Sequence, residues 1–410
     1  MYDAMYRMFF EKDDIEFKKD VCSTALIFTF CTSFLIFILL ILFKNQIAYY
    51  FFGDKKYFYI VYLSAIATLV GATNSIISAP TRMQNKRKVF LVTNTLSPLI
   101  SYSIAIPMLL AGYYTIALPL AAVISGVTME IAFGVMNRDW FNIKRIDLSL
   151  LKPLLQIAIP LLPNFLIYWV FNSCDKVMIT NMIGIGAAGV YSVGSKLGHC
   201  SQLIYTAFAG GWQYFAFSTM KEDKQVETNS MIFEYLGIIS FITTTLICAL
   251  SYSLFRIFFT EQYLSGYIIA PYLFLAPLLQ MLFQVAANQF LIIKKTWPNL
   301  IILSFGALSN IAINYFMIPI IGIEGASLAT LIGYAISDII CVIVLCKMNL
   351  MVLKRRFFIS TIGMTIFFLA WRIIDPTNTL LCLFLSIIFC AFNCFLYKKD
   401  ITQLLKNLKH

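Results

Sequence analysis

The sequence predicts an all-α polytopic membrane protein, with twelve transmembrane helices arranged in two pseudo-symmetric lobes. Three observations support this prediction: an apolar composition, a series of apolar stretches about 20 residues long, and an internal repeat. Of the 410 residues, 60% are hydrophobic and only 12% are charged, whereas soluble proteins carry about 25% charged residues. With a mean hydropathy of +0.81, the chain has too little polar surface for a soluble monomer.

The apolar stretches are long enough to cross a bilayer as helices, since about 20 apolar residues span about 30 Å of hydrocarbon. Twelve stretches qualify, at residues 24–43, 57–79, 89–111, 115–136, 154–173, 187–219, 231–252, 267–293, 297–318, 325–346, 357–374 and 379–397. The sixth stretch is the longest and contains four glycines, so we expect it to bend or to leave the lipid core in part. Prolines inside several spans predict kinked helices around a cavity.

Lys and Arg residues are distributed unevenly between alternate loops. Of the 31 basic residues, 24 lie in the set of loops that includes both chain ends, and six lie in the other set. Because cytoplasmic loops are enriched in Lys and Arg, both termini are predicted to be cytoplasmic. The net charge of +11 therefore indicates topology and contact with membrane lipids, and we expect no nucleic-acid partner.

An internal repeat has a period of about 208 residues. Residues 51–54 correspond to 258–261, the basic pair 86–87 to 294–295, and Gly126 to Gly333. The second copy begins with two spans that have no counterpart in the first, so we expect the chain to be a shortened form of a protein with fourteen spans. The predicted domains are an incomplete four-helix lobe at 1–150, a six-helix lobe at 151–350, and two additional helices with a tail at 351–410.

Polar side chains inside the spans are candidates for substrate binding, because a charge at the membrane centre costs about 2.5–3.5 kcal/mol even on the lenient insertion scale. Lys196 could hold a phosphate or diphosphate group. Alternatively, it pairs with Asp175 or Asp338, or reaches the outer surface along its apolar stem. His199, one of two histidines, could carry a proton or could serve only as a structural residue.

Further polar residues recur at helical spacing within four spans. Those on the fifth span should form one stripe along a wet cleft. The same residues could instead form hydrogen bonds that hold the helices together. The candidates are Asn164, Tyr168, Asn172 and Asp175 on the fifth span, Gln284 and Asn288 on the eighth, Asn314 on the ninth, and Asp338 on the tenth.

Motifs of known enzymes are missing from the sequence. It contains no nucleotide-binding Gly-x-x-x-x-Gly-Lys-Ser/Thr loop, no HExxH and no paired CxxC, so we expect no ATPase, metal site or cofactor. The predicted outer loops have about fourteen residues or fewer, which leaves no room for an external catalytic domain. A transporter is therefore favoured over an enzyme such as a polysaccharide polymerase.

Three segments carry a family resemblance: Tyr2-Asp3-Ala4-Met5-Tyr6-Arg7, residues 189–197 and residues 322–330. In these segments the chain resembles the oligosaccharide flippases, the polysaccharide biosynthesis branch of the multidrug/oligosaccharidyl-lipid/polysaccharide exporter superfamily. The resemblance implies a MATE-like fold with two six-helix lobes and two additional C-terminal helices. The chain departs from that pattern because the first two helices of the N-terminal lobe are missing.

The same resemblance implies a function. Such proteins move an undecaprenyl-diphosphate-linked oligosaccharide across the bacterial cytoplasmic membrane by alternating access, for O-antigen, capsule or teichoic-type polysaccharide assembly. Lys196 is the position that would attract the diphosphate, with Arg7 as a second candidate. The polymerase and glycosyltransferases of the same pathway are the implied partners. The alternative is a cation-coupled multidrug or metabolite antiporter of the same fold.

Overall fold

The protein is seen in a computed structural model that describes residues 1–407, apart from the side chains at positions 87, 143, 164, 165, 404, 405 and 407. The described residues form α-helices joined by short 3₁₀ segments and turns, without any β-strand. They group into two compact units, Met1–Ile159 and Pro160–His410, which we call the first unit and the second unit.

The first unit contains eight helices. They are α1 (Tyr2–Phe9), α2 (Ile15–Leu42), α3 (Lys44–Phe52), α4 (Phe58–Ile77), α5 (Ala79–Met83), α6 (Arg87–Leu110), α7 (Ala117–Met136) and α8 (Leu151–Ala158). The side chain of Asp14 caps α2 by accepting a hydrogen bond from the Glu16 amide at 3.0 Å. Gly53, with φ at +74°, ends α3 in the left-handed conformation that glycine adopts without strain. The long helices pack in the order α2, α4, α7, α6.

The second unit contains ten helices. They are α9 (Asn164–Met182), α10 (Ile185–Gly198), α11 (Ser201–Ser218), α12 (Gln225–Phe258), α13 (Ala270–Ile292), α14 (Trp297–Ile321), α15 (Ile323–Lys347), α16 (Arg355–Ile374), α17 (Thr379–Leu396) and α18 (Lys398–Asn407). Nearly every side chain of α13 is buried, as expected for a helix that is apolar on all sides. This helix packs against α10, α11, α12 and α15 and forms the centre of the unit.

The boundary between the units lies nine residues beyond the expected end of the first lobe at residue 150. Helix α8 packs against α1 and α2 and therefore belongs to the first unit. Pro160 and Pro163 then separate α8 from α9, because proline lacks the amide hydrogen that continues a helix. The two C-terminal membrane helices, expected as a separate segment, belong to the second unit.

Eleven helical segments of the described chain are long and apolar enough to cross a membrane. Each of these segments matches one of the twelve predicted spans. The remaining predicted span, at residues 187–219, does not form one continuous helix. It is divided at His199 and Cys200 into α10, with 14 residues, and α11, with 18. A Cβ atom at Gly198 would lie 2.6 Å from the Leu273 Cβ, so glycine allows the end of α10 to pack directly on α13. The chain is thus an all-α, multi-pass membrane protein whose sixth span is interrupted.

An ionic cluster attaches α18 to the rest of the second unit. Arg356 donates a hydrogen bond from Nε to Glu234 Oε1 at 2.5 Å, and its Nη2 lies 2.5 Å from Asp400 Oδ2. The Tyr235 hydroxyl donates to the same Asp400 oxygen at 2.9 Å. The guanidinium group also lies over the ring of Tyr397, 4.2 Å from its centroid. The Arg356 guanidinium holds the pKa of the Asp400 carboxyl below its usual value.

We expect Asp400→Asn to lower the melting temperature at neutral pH, by about 2–4 °C for a loss near 1 kcal/mol. The ionised carboxylate is the stabilising form. Its contribution is therefore complete above the unfolded-state pKa of about 3.9 and is lost as the pH falls through the lower folded-state pKa. Thermal unfolding of the wild type and the variant at pH 7 and pH 3 measures this difference. Asp139→Asn is the matched control, because its pair with Arg138 is almost fully exposed. Equal melting temperatures for the wild type and Asp400→Asn at pH 7 would contradict the expectation.

Candidate functional site

A buried carboxylate lies at the centre of a polar cluster in the second unit. Asp175, on α9, is only 3% exposed. Its Oδ2 accepts hydrogen bonds from the hydroxyls of Tyr191 at 2.6 Å and Thr330 at 2.5 Å, and its Oδ1 accepts one from the Asn314 amide at 2.8 Å. Asn310 donates to the Thr330 hydroxyl at 3.1 Å and accepts from Asn314 at 3.2 Å. We call these five residues the Asp175 cluster.

Four helices contribute to the Asp175 cluster: α9, α10, α14 and α15. Asn310 and Asn314 are one turn apart on α14 and therefore face the same side of it. The close approach of α14 to α15 requires glycine at position 306. A Cβ atom there would lie 1.9 Å from Ser337 Oγ and 2.7 Å from the Gly333 carbonyl oxygen. This close packing lets Asn310 reach Thr330 on the neighbouring helix.

Gly306→Ala is expected to destabilise the protein by about 1–3 kcal/mol, the usual cost of overpacking a close contact. The added methyl group would push α15 away from α14 and separate Asn310 from Thr330. Thermal unfolding in detergent or lipid nanodiscs measures the loss of stability. The matched control is Gly211→Ala on α11, where an added Cβ meets nothing within 4 Å and alanine should favour the helix. Equal melting temperatures for the two variants would contradict the steric explanation.

The Asp175 cluster supplies neutral hydrogen-bond donors only. None of the ion pairs in the described part of the chain includes Asp175. A buried ionised carboxylate without a counter-charge costs several kcal/mol, so a proton or a bound cation should neutralise it.

The chemistry of the cluster suits a cation that prefers oxygen ligands. It offers carboxylate, hydroxyl and amide oxygens, which are the ligands of hard cations. The Asn314 amide oxygen is buried without a hydrogen-bond partner and is available for such a contact. The described residues hold no group of three or more His, Cys, Asp and Glu side chains that could bind a metal ion. The oxygen atoms of the cluster can accept a proton or contact a hard cation.

The stripe expected on the fifth span is divided between two faces. Asp175 points into the unit, whereas Asn172 is exposed and donates from Nδ2 to the Tyr168 carbonyl at 2.7 Å. Three residues along a helix leave two side chains about 60° apart, which is enough to place one inside the unit and the other outside. Tyr168 is half-buried, and the side chain of Asn164 lies outside the described residues.

Lys196 is exposed on α10, and neither alternative pairing expected for it is observed. Its ammonium group takes part in none of the ion pairs found among the described residues. The charge is therefore accessible to a ligand. His199 is half-buried at the break between α10 and α11, where Nδ1 lies 2.8 Å from the Ser195 carbonyl oxygen and can donate to it.

The remaining predicted residues take no part in the hydrogen bonds of the Asp175 cluster. Gln284, Asn288 and Asp338 are on α13 and α15, and each has a buried polar atom without a partner in the described structure. Arg7 is in the first unit, 6% exposed, and its Nη1 lies 2.5 Å from Glu11 Oε2. This ion pair fixes the end of α1.

Sequence reasoning did not select Tyr191 or Thr330 as partners of Asp175. The Asn314 and Thr330 contacts join residues 139 and 155 positions apart, and no local pattern indicates such pairs. It also missed Glu130 on α7, which accepts a hydrogen bond from the Thr73 hydroxyl at 2.5 Å. The available signal was that Glu130 is an acidic residue inside a predicted span.

Solved structures with a similar fold include two MATE transporters and a lipid II flippase. The MATE transporter VcmN of Vibrio cholerae matches with a TM-score of 0.73 and 13% identity, over 85% of both chains. An outward-facing multidrug resistance MATE transporter matches with a TM-score of 0.68 and 14% identity, over 85% of this chain and 82% of that chain. The lipid II flippase MurJ, in an inward closed conformation, matches with a TM-score of 0.59 and 18% identity, over 98% of this chain and 88% of that chain.

These identities are low enough that the likeness establishes the fold alone, and the fold is MATE-like, as expected. A search of curated proteins gave no match. The model of a family described as "Polysaccharide biosynthesis protein" matches residues 10–267. Because this match covers more than half of the sequence, the chain belongs to the polysaccharide biosynthesis protein family.

Proposed function

We propose that this chain transports an undecaprenyl-diphosphate-linked oligosaccharide across the bacterial cytoplasmic membrane by alternating access, for assembly of a cell-surface polysaccharide. The family match supports a role in polysaccharide assembly, and similarity to a lipid II flippase supports a lipid-linked substrate. Both chain termini would then lie in the cytoplasm, where the glycosyltransferases of the same pathway would supply the substrate. The protein carries out no chemistry of its own.

The Asp175 cluster is the observation that carries the transport proposal. A buried carboxylate without a counter-charge costs several kcal/mol, and a cation or proton that neutralises it removes this cost. Helices α9, α10, α14 and α15 all contact this group, so its neutralisation favours the conformation in which they are packed together. A ligand that binds one conformation better than the other shifts the equilibrium between them. The cluster thus provides a physical link between an ion gradient and alternating access.

Lys196 provides the proposed contact with the substrate. Its ammonium group is exposed and unpaired among the described residues, so it can bind a diphosphate without first breaking an ion pair. Lysine binds phosphate as a point charge. The glycan and diphosphate would pass beside protein groups while the polyprenyl tail stays in lipid, which lowers the cost of moving polar groups through hydrocarbon.

Deletion of the gene tests the proposed substrate. Surface polysaccharide should be lost, and the lipid-linked oligosaccharide should accumulate in the cytoplasmic leaflet, as shown by extraction and mass spectrometry of lipids from inside-out and right-side-out vesicles. A copy of the gene supplied on a plasmid should restore both. Normal surface polysaccharide in a clean deletion strain would overturn the proposal.

A cation-coupled multidrug or metabolite antiporter is the second candidate. The similarity to MATE transporters, one of them described as a multidrug resistance transporter, favours it. It predicts that drug accumulation in cells rises on deletion and depends on Na⁺ or H⁺. The lipid-linked oligosaccharide should then be distributed normally between the two leaflets.

A further inference from the structure

Asp338 is an acidic residue deep inside the second unit. It is 8% exposed, and both carboxylate oxygens are buried without a hydrogen-bond partner in the described structure. It follows the first residue of α15 by 15 positions and precedes the last by nine, so it lies about 13 Å from the nearer helix end. A charge at this depth, with neither water nor a partner, would cost several kcal/mol.

In the part of the chain that the structure describes, the side chains next to Asp338 on its own and neighbouring helices are apolar, engaged elsewhere or exposed. Tyr334 and Cys341 flank it on α15 and belong to the apolar core of the unit. On α9, the Asp175 carboxylate is engaged by its own cluster, which includes Tyr191 of α10. On α14 the single titratable side chain, Tyr315, is exposed.

Other charged groups near α15 are exposed or paired. Lys176 on α9 and Lys196 on α10 are both exposed. At the far end of α15, Glu324 pairs with Arg372, whose Nε lies 2.7 Å from its Oε1. The titratable side chain of α13, Tyr272, also lies at that end. Among the described residues, Asp338 takes part in no ion pair.

Two unpaired amides lie on α13 at the same depth as Asp338. The Tyr272 hydroxyl donates to Glu324 Oε1 at 3.4 Å near the first residues of α13 and α15, so the two helices run in the same direction from a common level. Asp338 follows Glu324 by 14 residues, and Gln284 and Asn288 follow Tyr272 by 12 and 16. Gln284 Oε1 and Asn288 Nδ2 are buried without partners as well. Buried polar groups are rarely left unpaired, so these unpaired atoms at a similar level of the two helices require a partner such as a proton or a buried water.

The chemistry of the amides matches a protonated carboxyl better than a carboxylate. A carboxylate only accepts hydrogen bonds, so it would leave the Gln284 oxygen without a donor. No direct hydrogen bond joins Asp338 to either amide in the described structure. A neutral carboxyl has one O–H group to donate and one carbonyl oxygen to accept, so a buried water can link it to Gln284 Oε1 and to Asn288 Nδ2.

The internal repeat places an acidic residue near this level in both copies, although not at the equivalent position. Gly126 of the first copy corresponds to Gly333 of the second. Glu130 follows the first glycine by four residues, and Asp338 follows the second by five. In this alignment Glu130 corresponds to Ser337, so the two acidic residues lie near the same level of membrane-spanning helices but on different faces. Intramembrane acidic residues are rare unless they serve a function.

We propose that Asp338 is a proton-binding site, separate from the Asp175 cluster, that holds a proton in the conformation described. Release breaks the carboxyl O–H bond and passes the proton to water, which requires α13 and α15 to separate at the end near Lys347. Rebinding of a proton from water allows the helices to pack again. The state of Asp338 therefore biases the conformational equilibrium of the second unit. The role of this equilibrium in a transport cycle rests on the proposed function, whereas the proton-binding site itself does not.

Infrared difference spectroscopy tests the protonation itself. The full-length chain in lipid nanodiscs is stepped between acidic and alkaline pH, and the carbonyl stretch of protonated carboxyl groups is recorded. We expect a band that Asp338→Asn removes and that Asp175→Asn and Glu130→Gln both leave in place. A spectrum of Asp338→Asn identical to that of the wild type would overturn the proposal. This reading does not depend on transport, so failure of the proposed substrate would leave it unaffected.

A measurement on the wild type covers the case in which Asp338→Asn fails to fold. Hydrophobic carbodiimides react with protonated carboxyl groups, and peptide mass spectrometry locates the adduct. Labelling of Asp338 should fall with rising pH, by about tenfold per pH unit once the carboxyl ionises. Labelling at Asp338 that is absent at every pH, or that does not change with pH, would overturn the proposal.

Discussion

Asp175→Asn is expected to leave a folded protein whose transport no longer depends on the coupling ion. Asparagine has the same shape, and the hydroxyls of Tyr191 and Thr330 can rotate to accept from its amide, so the cluster should survive. The variant cannot be neutralised by a proton and lacks the charge that attracts a cation. Coupling free energies of 1–3 kcal/mol correspond to roughly 5- to 150-fold changes, and we expect a loss of ion-driven transport in this range.

Transport into proteoliposomes, with and without Na⁺ and pH gradients, measures this effect. Asp175→Ala serves as a contrast, because it leaves three buried donors without an acceptor at about 1–3 kcal/mol each and should unfold at a lower temperature. Thr180→Val is the matched control, since Thr180 is exposed on the same helix and donates only to the Lys176 carbonyl. If Asp175→Asn retained the ion dependence of the wild type, the Asp175 cluster would be only a packing feature.

The spans could be predicted from the sequence because the bilayer imposes a simple requirement. Backbone groups in hydrocarbon must be paired within each segment, so a long apolar stretch has to form a helix. The four glycines of the sixth span predicted a bend, but not the position of the break, which lies beside the packing of Gly198 on Leu273, a residue distant in sequence. The shifted boundary at residue 159 also depends on tertiary packing, since α8 is held by α1 and α2.

The candidate site could be predicted only in part for a related reason. The free-energy cost of placing a charge inside the membrane identifies Asp175 and Asp338 as candidates without any structure. The spacing of residues along one helix does not indicate which side chains of other helices they contact. Asp175 has partners on α10, α14 and α15, whereas Asn172, three residues away, is exposed. Polar residues at helical spacing can thus have different environments, with one forming hydrogen bonds inside the unit and another exposed at its surface.

Lys196→Ala is expected to impair transport strongly, with little change in stability. The lysine is exposed and has no ion pair among the described residues. Its removal therefore leaves no buried charge behind and should change the free energy of unfolding by less than about 0.5 kcal/mol. Hydrogen bonds to charged groups contribute about 1.5–3 kcal/mol. Apparent affinity for the diphosphate-linked substrate should therefore fall roughly tenfold to a hundredfold.

Lys196→Arg separates a phosphate contact from a role in packing. Arginine keeps the charge and can bind phosphate through two parallel hydrogen bonds, but its planar group sits differently from an ammonium, so activity should be partly retained. Lys56→Ala, in an exposed loop pair with Asp54, is the control for loss of a positive charge elsewhere. Substrate titrations in proteoliposomes provide the measurement. Full activity of Lys196→Ala would mean that the lysine only reaches toward the lipid headgroups, whereas a defect that Arg partly repairs requires an anionic ligand at this position.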